Sequence, residues 1–278
     1  MSAQVISPEL QQWLQAQLSA HVEKDTVLQA MQQIGWAPLV ARRAYNEALE
    51  VFQQGHASAA PALPSPDLRR KPSALRVDGH DITVLLDMKH PRVVVFGNFL
   101  SEAECDQLQA LASSRLTRSE TVTLNTDASE VNEARTSDGM FFERGENELC
   151  ARIEARIASL LHWPVERGEG LQVLRYGPGA EYLPHFDYFD PAHASTPAIL
   201  KRGGQRVGTV VMYLNTPVRG GGTVFPDAGF EVAPIKGNAV FFAYDGPNPE
   251  TLTLHGGSPV LEGEKWVATK WLRQGRFE

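Results

Sequence analysis

The sequence predicts an α+β protein in which a small all-α module of three helices precedes a double-stranded β-helix (jelly roll) with flanking helices. Three observations predict this fold class. Apolar residues recur at helical spacing near the N-terminus. The next stretch is rich in alanine, proline and serine and lacks periodicity. From Leu171 onward, short β-type segments alternate with glycine and proline turns, a series typical of a jelly roll.

The three N-terminal helices are predicted from their capping residues and apolar stripes. Ser7 can cap a first helix, and Asp25 can cap a second that stops at Gly35. A third helix opens near Pro38 and runs to Gly55. The expected buried stripes are Leu10, Trp13, Leu14, Leu18 and Val22, then Val27, Leu28, Met31 and Ile34, then Val40, Ala44, Ala48 and Phe52.

These patterns divide the chain into a helical module at residues 1–55, a linker at 56–75 and a larger domain at 76–278. A module of about 50 residues is marginal on its own, so we expect it to dock on the larger domain or on a partner. Two interpretations stay open for it. The module is a packing appendage, or it recruits a substrate or partner.

The larger domain begins with a buried strand at Val93–Phe96. Ser101 and Glu104 form a capping box for a helix that carries Cys105, Leu108 and Leu111. A second helical stripe comprises Leu149, Ile153, Ile157 and Leu160. Both helices should cover one face of a sheet. The later strands are predicted at Gln172–Tyr176, Tyr182–Asp187, Thr209–Leu214, Thr223–Phe225, Ala239–Tyr244 and Trp266–Leu272.

Composition limits the partners and the compartment. A formal net charge of −7 over 278 residues argues against a nucleic-acid binder, which would present a basic face. No apolar signal segment or membrane-spanning stretch is visible, so we expect no membrane partner and a cytoplasmic location. Cys105 and Cys150 are interpreted as two buried thiols, with a disulfide between them as the alternative.

A metal site is predicted from His185 and Asp187, which lie two residues apart on a predicted strand and so project from one face. His255 would join them from a different strand. Two histidines and one carboxylate suit ferrous iron and leave positions open for a chelating co-substrate and oxygen. Lys265, ten residues beyond His255, is expected to start the next strand of a hairpin and return to the same cavity.

The chain resembles the prolyl 4-hydroxylase family of Fe(II)- and 2-oxoglutarate-dependent dioxygenases from about Pro91 to Trp271. The matching segments beyond the metal ligands are Asn98–Cys105, Arg135–Gly139, Gln172–Tyr176, Gly220–Pro226 and Lys236–Phe242. The resemblance implies Fe(II), the co-substrate 2-oxoglutarate and O2, with ascorbate as a reductant. It also implies hydroxylation of a prolyl residue in a protein or peptide, with release of succinate and CO2.

Residue roles follow from the same resemblance. His185, Asp187 and His255 are the implied catalytic metal ligands, and Lys265 is the cation for the far carboxylate of 2-oxoglutarate, with Tyr176 and Thr223 as hydrogen-bonding helpers. Lys270 competes for the role of Lys265. Residues five apart on a strand face opposite sides, however, and the family register favours Lys265.

Substrate recognition is assigned to Arg135, Tyr182 and Trp271, with the polar segment from Thr121 to Glu133 as a lid over a peptide. For Tyr182 and Trp271 the alternative is ordinary aromatic packing. Two other functions stay open at this point. One is hydroxylation of another side chain or of a small molecule. The other is a catalytically silent module that binds metal or a partner and senses 2-oxoglutarate or oxygen.

Overall fold

The computed structural model describes residues 6–20, 22–55, 63–118, 121–122, 129–130 and 136–278. The chain divides into two compact units, Met1–Ala62 and Leu63–Glu278. The first unit consists of helices α1 (Pro8–Ser19), α2 (Lys24–Gln33) and α3 (Pro38–Gly55). Within the described residues, no helix combines the length and the apolar character needed to cross a bilayer.

The first unit packs around an apolar core of its own. Ser7 caps α1 as predicted, because its hydroxyl accepts a hydrogen bond from the Leu10 amide at 3.3 Å. The predicted cap at Asp25 is wrong: the capping position is Glu23, two residues earlier, so Asp25 lies in the first turn, where the helix dipole favours its charge. Ile34 follows the last turn of α2 and is exposed. The buried core residues are Leu10, Leu14, Leu18, Val27, Leu28, Met31, Ala41, Ala44, Tyr45 and Ala48.

The second unit contains two facing groups of strands. The larger sheet has the order β1 (Ala74–Val77), β2 (His80–Met88), β3 (Arg92–Gly97), β14 (Ala239–Ala243), β10 (Arg206–Tyr213), β17 (Lys265–Arg273), β8 (Leu171–Tyr176), β7 (Asp138–Phe142) and β4 (Thr117–Arg118). The smaller sheet has the order β13 (Phe230–Val232), β12 (Thr223–Phe225), β15 (His255–Gly257) and β9 (Tyr182–His185). Two short pairs join β5 (Thr121–Val122) to β6 (Ser129–Glu130) and β11 (Arg219–Gly220) to β16 (Val260–Glu262).

Alternation along β3 shows how the layers are built. Val94 and Phe96 enter the core that the larger sheet shares with helices α4 (Glu102–Ser113) and α5 (Glu148–Leu161). Val93 and Val95 enter a second core shared with the smaller sheet. Strand residues alternate between faces, so one strand supplies both cores. The predicted jelly roll with flanking helices is thereby confirmed.

Of two local predictions for α4, the one for its capping box is confirmed and the one for Leu111 is wrong. The capping box of Ser101 and Glu104 is present at the start of α4. Leu111, however, is 39% exposed, because the buried face of α4 follows the spacing of Cys105, Leu108 and Ala112. A short helix, α6 (Thr196–Leu200), lies in the connection between β9 and β10.

The two cysteines are free and buried, as preferred from the sequence. Burial raises the pKa of the Cys105 thiol and of the Cys150 thiol to about 11 in each case. Both side chains are therefore protonated thiols near neutral pH, where they behave as small apolar core residues.

Candidate active site

Three predicted metal ligands meet in one cavity. The Nε2 atom of His185 lies 3.6 Å from Oδ1 of Asp187, and Nε2 of His255 lies 3.5 Å from Oδ2 of the same carboxylate. Strands β9 and β15 pair in the register that sets His255 opposite His185. One donor atom from each residue lies within 4.8 Å of the other two. This spacing allows all three residues to ligate a single ion.

The strand carrying the first two ligands is shorter than predicted. β9 ends at His185, so Asp187 lies just beyond the strand and not inside it. The Phe186 ring stacks on Tyr188 with centroids 4.7 Å apart. Asp187 still points into the cavity because Thr209 and Arg206 hold it from the neighbouring sheet.

Hydrogen bonds fix the tautomers of both histidines. Nδ1 of His185 lies 2.9 Å from the carbonyl oxygen of Leu183, and Nδ1 of His255 lies 3.0 Å from that of Thr253. A carbonyl oxygen only accepts, so each Nδ1 carries the proton and each Nε2 offers a lone pair. Burial lowers the pKa of His255 to about 4, although Asp187 acts in the opposite direction. His255 is therefore neutral at pH 7 and able to bind a metal.

The Asp187 carboxylate is buried and ionised. Burial alone would raise its pKa, but the positive charge of the Arg206 guanidinium acts in the opposite direction, and the pKa lies well below the usual range. Arg206 in turn forms a two-point salt bridge with Glu169, at 2.7 and 2.9 Å. The negative charge that a cation requires is thus present at every ordinary pH.

A buried cation lies at the other end of the cavity. Lys265 is 4% exposed, its Nζ donates to the Gly222 carbonyl at 3.4 Å, and it lies 5.3 Å from the centre of the Tyr176 ring. Burial lowers the pKa of Lys265 to about 8, although the charge of Glu231 acts in the opposite direction. Among the residues that the structure describes, no carboxylate lies within 4.0 Å of this ammonium group. Lys265 is therefore available to an anionic ligand.

The route by which Lys265 reaches the cavity differs from the predicted hairpin. His255 lies in β15 of the smaller sheet, whereas Lys265 begins β17 of the larger sheet. The intervening β16 pairs with β11, so no hairpin joins the two residues. They meet because the two sheets face each other across the cavity. The cavity lining comprises Leu174, Tyr176, Tyr182, His185, Asp187, Thr209, Val211, Thr223, His255, Gly256, Gly257, Lys265, Val267, Thr269 and Trp271.

The predicted helpers of Lys265 both line the cavity. Tyr176 is the direct cross-strand neighbour of Lys265. Thr223 faces the same space, and its hydroxyl oxygen accepts a hydrogen bond from the buried Tyr213 hydroxyl at 2.7 Å. Since Tyr213 is the donor, the Thr223 hydroxyl hydrogen is free to point towards a bound anion.

The aromatic residues predicted for the substrate lie around the metal ligands. Tyr182 stacks on the His185 ring with centroids 3.8 Å apart. The Trp271 ring carries the Arg206 guanidinium over its face at 4.0 Å. Arg135 lies outside the described residues. So does most of the predicted lid from Thr121 to Glu133, apart from the paired strands β5 and β6.

Sequence reasoning missed the residues that support Asp187, namely Thr209, Tyr244, Arg206 and Glu169. The sequence predicts Thr209 and Tyr244 only as strand residues. Glu169 lies 37 positions from its partner Arg206, so local spacing does not connect the two. The sequence contains one indication of them. Arg206 and Thr209 lie in the otherwise apolar segment Arg206–Tyr213, and polar side chains buried in such a strand need hydrogen-bonding partners. The sequence does not say which partners these are.

The donor set fits ferrous iron and its co-substrate. Two imidazoles and one carboxylate suit Fe(II), and the remaining cavity contains a buried ammonium group that has no carboxylate of the described residues beside it. Leu174, Val211 and Val267 line the space between the two ends. A short dicarboxylate that binds the metal at one end and Lys265 at the other matches this arrangement.

Comparisons with known proteins agree with the site. A model of the 2OG-Fe(II) oxygenase superfamily matches residues 171–273. Probable prolyl 4-hydroxylase 4 of Arabidopsis thaliana is 40% identical over 211 residues, which cover 68% of this chain and 69% of that protein. Prolyl 4-hydroxylase 1 of the same plant is 44% identical over 202 residues, covering 66% of this chain and 69% of that protein.

A solved structure shares the fold. The viral collagen prolyl hydroxylase of Paramecium bursaria Chlorella virus-1, in complex with 2OG, is 30% identical and has a TM-score of 0.50. The match covers 65% of this chain and 95% of the viral one. The curated relatives, the family model and the geometry of the site agree on one family and on its use of Fe(II), 2-oxoglutarate and O2. The chain belongs to the prolyl 4-hydroxylase family of Fe(II)- and 2-oxoglutarate-dependent dioxygenases.

Proposed function

We propose that this dioxygenase hydroxylates a prolyl residue in a protein or peptide and releases succinate and CO2. The observation that carries the proposal is one cavity with two chemically distinct ends, a histidine–carboxylate triad and the buried Lys265. Relatives named prolyl 4-hydroxylase support the choice of proline. Bound Fe(II) with 2-oxoglutarate supplies the oxidising power that inserts one oxygen atom into a C–H bond.

The cavity residues have two proposed roles, binding the iron and anchoring the co-substrate. His185, Asp187 and His255 are the proposed ligands of the iron, and each imidazole is held by a hydrogen bond to a backbone carbonyl. Lys265 is the proposed partner of the far carboxylate, with Thr223 donating a hydrogen bond and Tyr176 forming the adjacent wall. Anchoring both ends fixes the orientation of the co-substrate before the reaction begins.

Recognition of the substrate is proposed for Arg135, Tyr182 and Trp271. Tyr182 is supported by its stacking on a metal-ligating imidazole, and Trp271 by its place in the cavity lining. Aromatic rings at this position suit the apolar face of a pyrrolidine ring. For Arg135 the support is the resemblance of Arg135–Gly139 to the family segment.

The rest of the chain has proposed roles as well. Residues 1–55 are the proposed helical module, 56–75 a linker and 76–278 the catalytic domain. The module packs around its own core, which supports a separate role in docking or recruitment. Two free buried thiols support a cytoplasmic location. Ascorbate is the proposed reductant that restores Fe(II), to be tested by the number of turnovers with and without it.

Mass spectrometry of proline-containing peptides tests the proposal. After incubation with the full chain, Fe(II), 2-oxoglutarate and oxygen, we expect one added oxygen on a prolyl residue and one succinate per product. Asp187→Ala should remove both, because the iron loses its charged ligand. Asp190→Ala is the matched control. Asp190 lies three residues beyond Asp187, accepts a hydrogen bond from the Ala192 amide and does not line the cavity.

Two results would overturn different parts of the proposal. Oxygen found only at non-prolyl positions rejects the prolyl substrate and favours another side chain or a small molecule. Undiminished turnover by folded Asp187→Ala rejects the assignment of the metal ligands.

A further inference from the structure

A chain of two buried hydroxyl groups ends on the proposed metal ligand Asp187. The Thr209 hydroxyl donates to Oδ2 of Asp187 at 2.7 Å, and the Tyr244 hydroxyl lies 3.1 Å from the same Thr209 oxygen. Thr209 is 0% exposed and Tyr244 is 2% exposed. Water therefore does not replace either contact.

The direction of this chain follows from the number of hydrogens available. The ionised Asp187 carboxylate only accepts, so the single hydroxyl hydrogen of Thr209 is used on Oδ2. Tyr244 must then be the donor in the second contact. Burial, together with the nearby charge of Asp187, raises the Tyr244 pKa well above its ordinary value, so its phenol retains the hydrogen it donates.

The sheet register places both hydroxyls on the cavity side. Thr209 lies in β10 opposite Phe242 of β14, and Tyr244 follows two residues after Phe242. Residues two apart on a strand project from one face, so Tyr244 is the diagonal neighbour of Thr209. The Tyr244 amide donates to the Val207 carbonyl at 3.2 Å, which continues the ladder and fixes this relation.

The two oxygens of Asp187 are unequal as a result. Oδ1 lies 3.6 Å from Nε2 of His185, and Oδ2 lies 3.5 Å from Nε2 of His255, so both oxygens are close enough to share one ion. Thr209 occupies a lone pair of Oδ2, whereas the nearest described cation to Oδ1, on Arg206, lies 4.0 Å away. Oδ1 is therefore the oxygen with more lone-pair capacity left for a metal ion.

We propose that Thr209, supported by Tyr244, is a positioning residue that holds Asp187 as a one-oxygen ligand through Oδ1. A carboxylate that ligated through both oxygens would occupy a coordination position that the chelating co-substrate needs. The hydroxyl pair thereby keeps that position open. This inference rests on the proposed metal ligands, and it adds a role that the triad alone does not supply.

Metal binding by the full chain tests the inference without turnover. We expect Thr209→Val, which keeps the branched shape and removes the hydroxyl, to weaken Mn(II) binding in an anaerobic titration by about 10- to 100-fold. Thr209→Ser should restore near wild-type affinity, because it keeps the donor. Tyr244→Phe should have a smaller effect, about twofold to threefold, since the direct bond to Asp187 remains.

A spectroscopic readout separates positioning from a general loss of structure. At saturating Fe(II), Thr209→Val should bind 2-oxoglutarate with a weaker visible charge-transfer band, because fewer molecules offer two adjacent open positions. The control is Thr196→Val, which removes another buried threonine hydroxyl, one that donates to the Asp190 carbonyl and does not touch the Asp187 carboxylate. That variant should keep the wild-type metal affinity and band.

The outcomes distinguish this inference from the proposed function. A wild-type chain without a charge-transfer band contradicts the proposed iron and co-substrate site. A wild-type band with unchanged metal affinity and band in Thr209→Val contradicts the positioning role alone. Should Thr209→Val not fold, unchanged metal affinity in both Thr209→Ala and Tyr244→Phe contradicts it equally.

Discussion

Two buried lysines, Lys265 and Lys270, lie five residues apart on opposite faces of β17 and have different partners. Lys270, 2% exposed, contacts the buried Glu154 carboxylate at 2.5 Å. Lys265, 4% exposed, faces the cavity, and within the described part of the chain its hydrogen bond goes to a backbone carbonyl at 3.4 Å. The two lysine side chains are therefore almost equally buried, and they differ in the group that each one contacts. A buried cation that already has its carboxylate supports the fold, whereas one without a carboxylate can bind a ligand.

The largest expected effect is on stability at the paired face. Lys270→Met should lower the free energy of unfolding by about 3–5 kcal/mol, because Glu154 would remain buried without its partner. Urea denaturation of the metal-free chain measures this. Lys270→Met combined with Glu154→Gln should be more stable than the single variant, since the uncompensated charge is gone and the glutamine oxygen can still accept from Gly145. An unchanged midpoint in the single variant would show that the ion pair contributes nothing.

At the other face the expected effect is on binding. Lys265→Met should weaken 2-oxoglutarate binding at least tenfold, since a charge-assisted hydrogen bond contributes about 1.5–3 kcal/mol. Its unfolding free energy should change by no more than about 1 kcal/mol, because removing an unpaired buried cation also removes its desolvation cost. Calorimetric titration and urea denaturation together check the pair of values. A large loss of stability with normal affinity would reverse the assignment of the two lysines.

The pH dependence of binding should expose the same difference. Burial lowers the Lys265 pKa to about 8, so the ammonium is present below that pH and is lost as the pH rises above it. Affinity for 2-oxoglutarate should therefore be flat below about pH 7 and fall by about tenfold between about pH 7 and pH 9. Lys265→Arg provides the control, because a guanidinium remains charged throughout. Equal slopes for wild type and Lys265→Arg would rule out Lys265 as the titrating group.

A smaller effect is expected at Thr223, which donates a neutral hydrogen bond. Thr223→Val should weaken 2-oxoglutarate binding by about fivefold, corresponding to about 1 kcal/mol. Thr223→Ser keeps the hydroxyl and should bind as wild type. Part of the loss in the valine variant will appear as stability, because the buried Tyr213 hydroxyl loses its acceptor. Identical dissociation constants for the valine and serine variants would exclude a direct contact.

Part of this arrangement could be predicted from the sequence. Alternation places Lys265 and Lys270 on opposite faces without knowledge of the partners, and the His185 and Asp187 spacing predicts a shared cavity. The sequence could not give the long-range pairs, such as Lys270 with Glu154 or Asp187 with Thr209, because these depend on which elements the fold brings together. The predicted hairpin between His255 and Lys265 failed for the same reason. Spacing along the chain indicated a return to the cavity but not the sheet that carries it.

The most direct test is one anaerobic titration of 2-oxoglutarate into three Fe(II)-loaded chains, followed by the visible charge-transfer band. These are the wild type, Lys265→Met, and Lys270→Met combined with Glu154→Gln. We expect the wild type and the double variant to agree within about twofold, and Lys265→Met to bind at least tenfold more weakly. Wild-type affinity in folded Lys265→Met, or an equal loss in the double variant, would contradict the assignment of Lys265 as the co-substrate anchor.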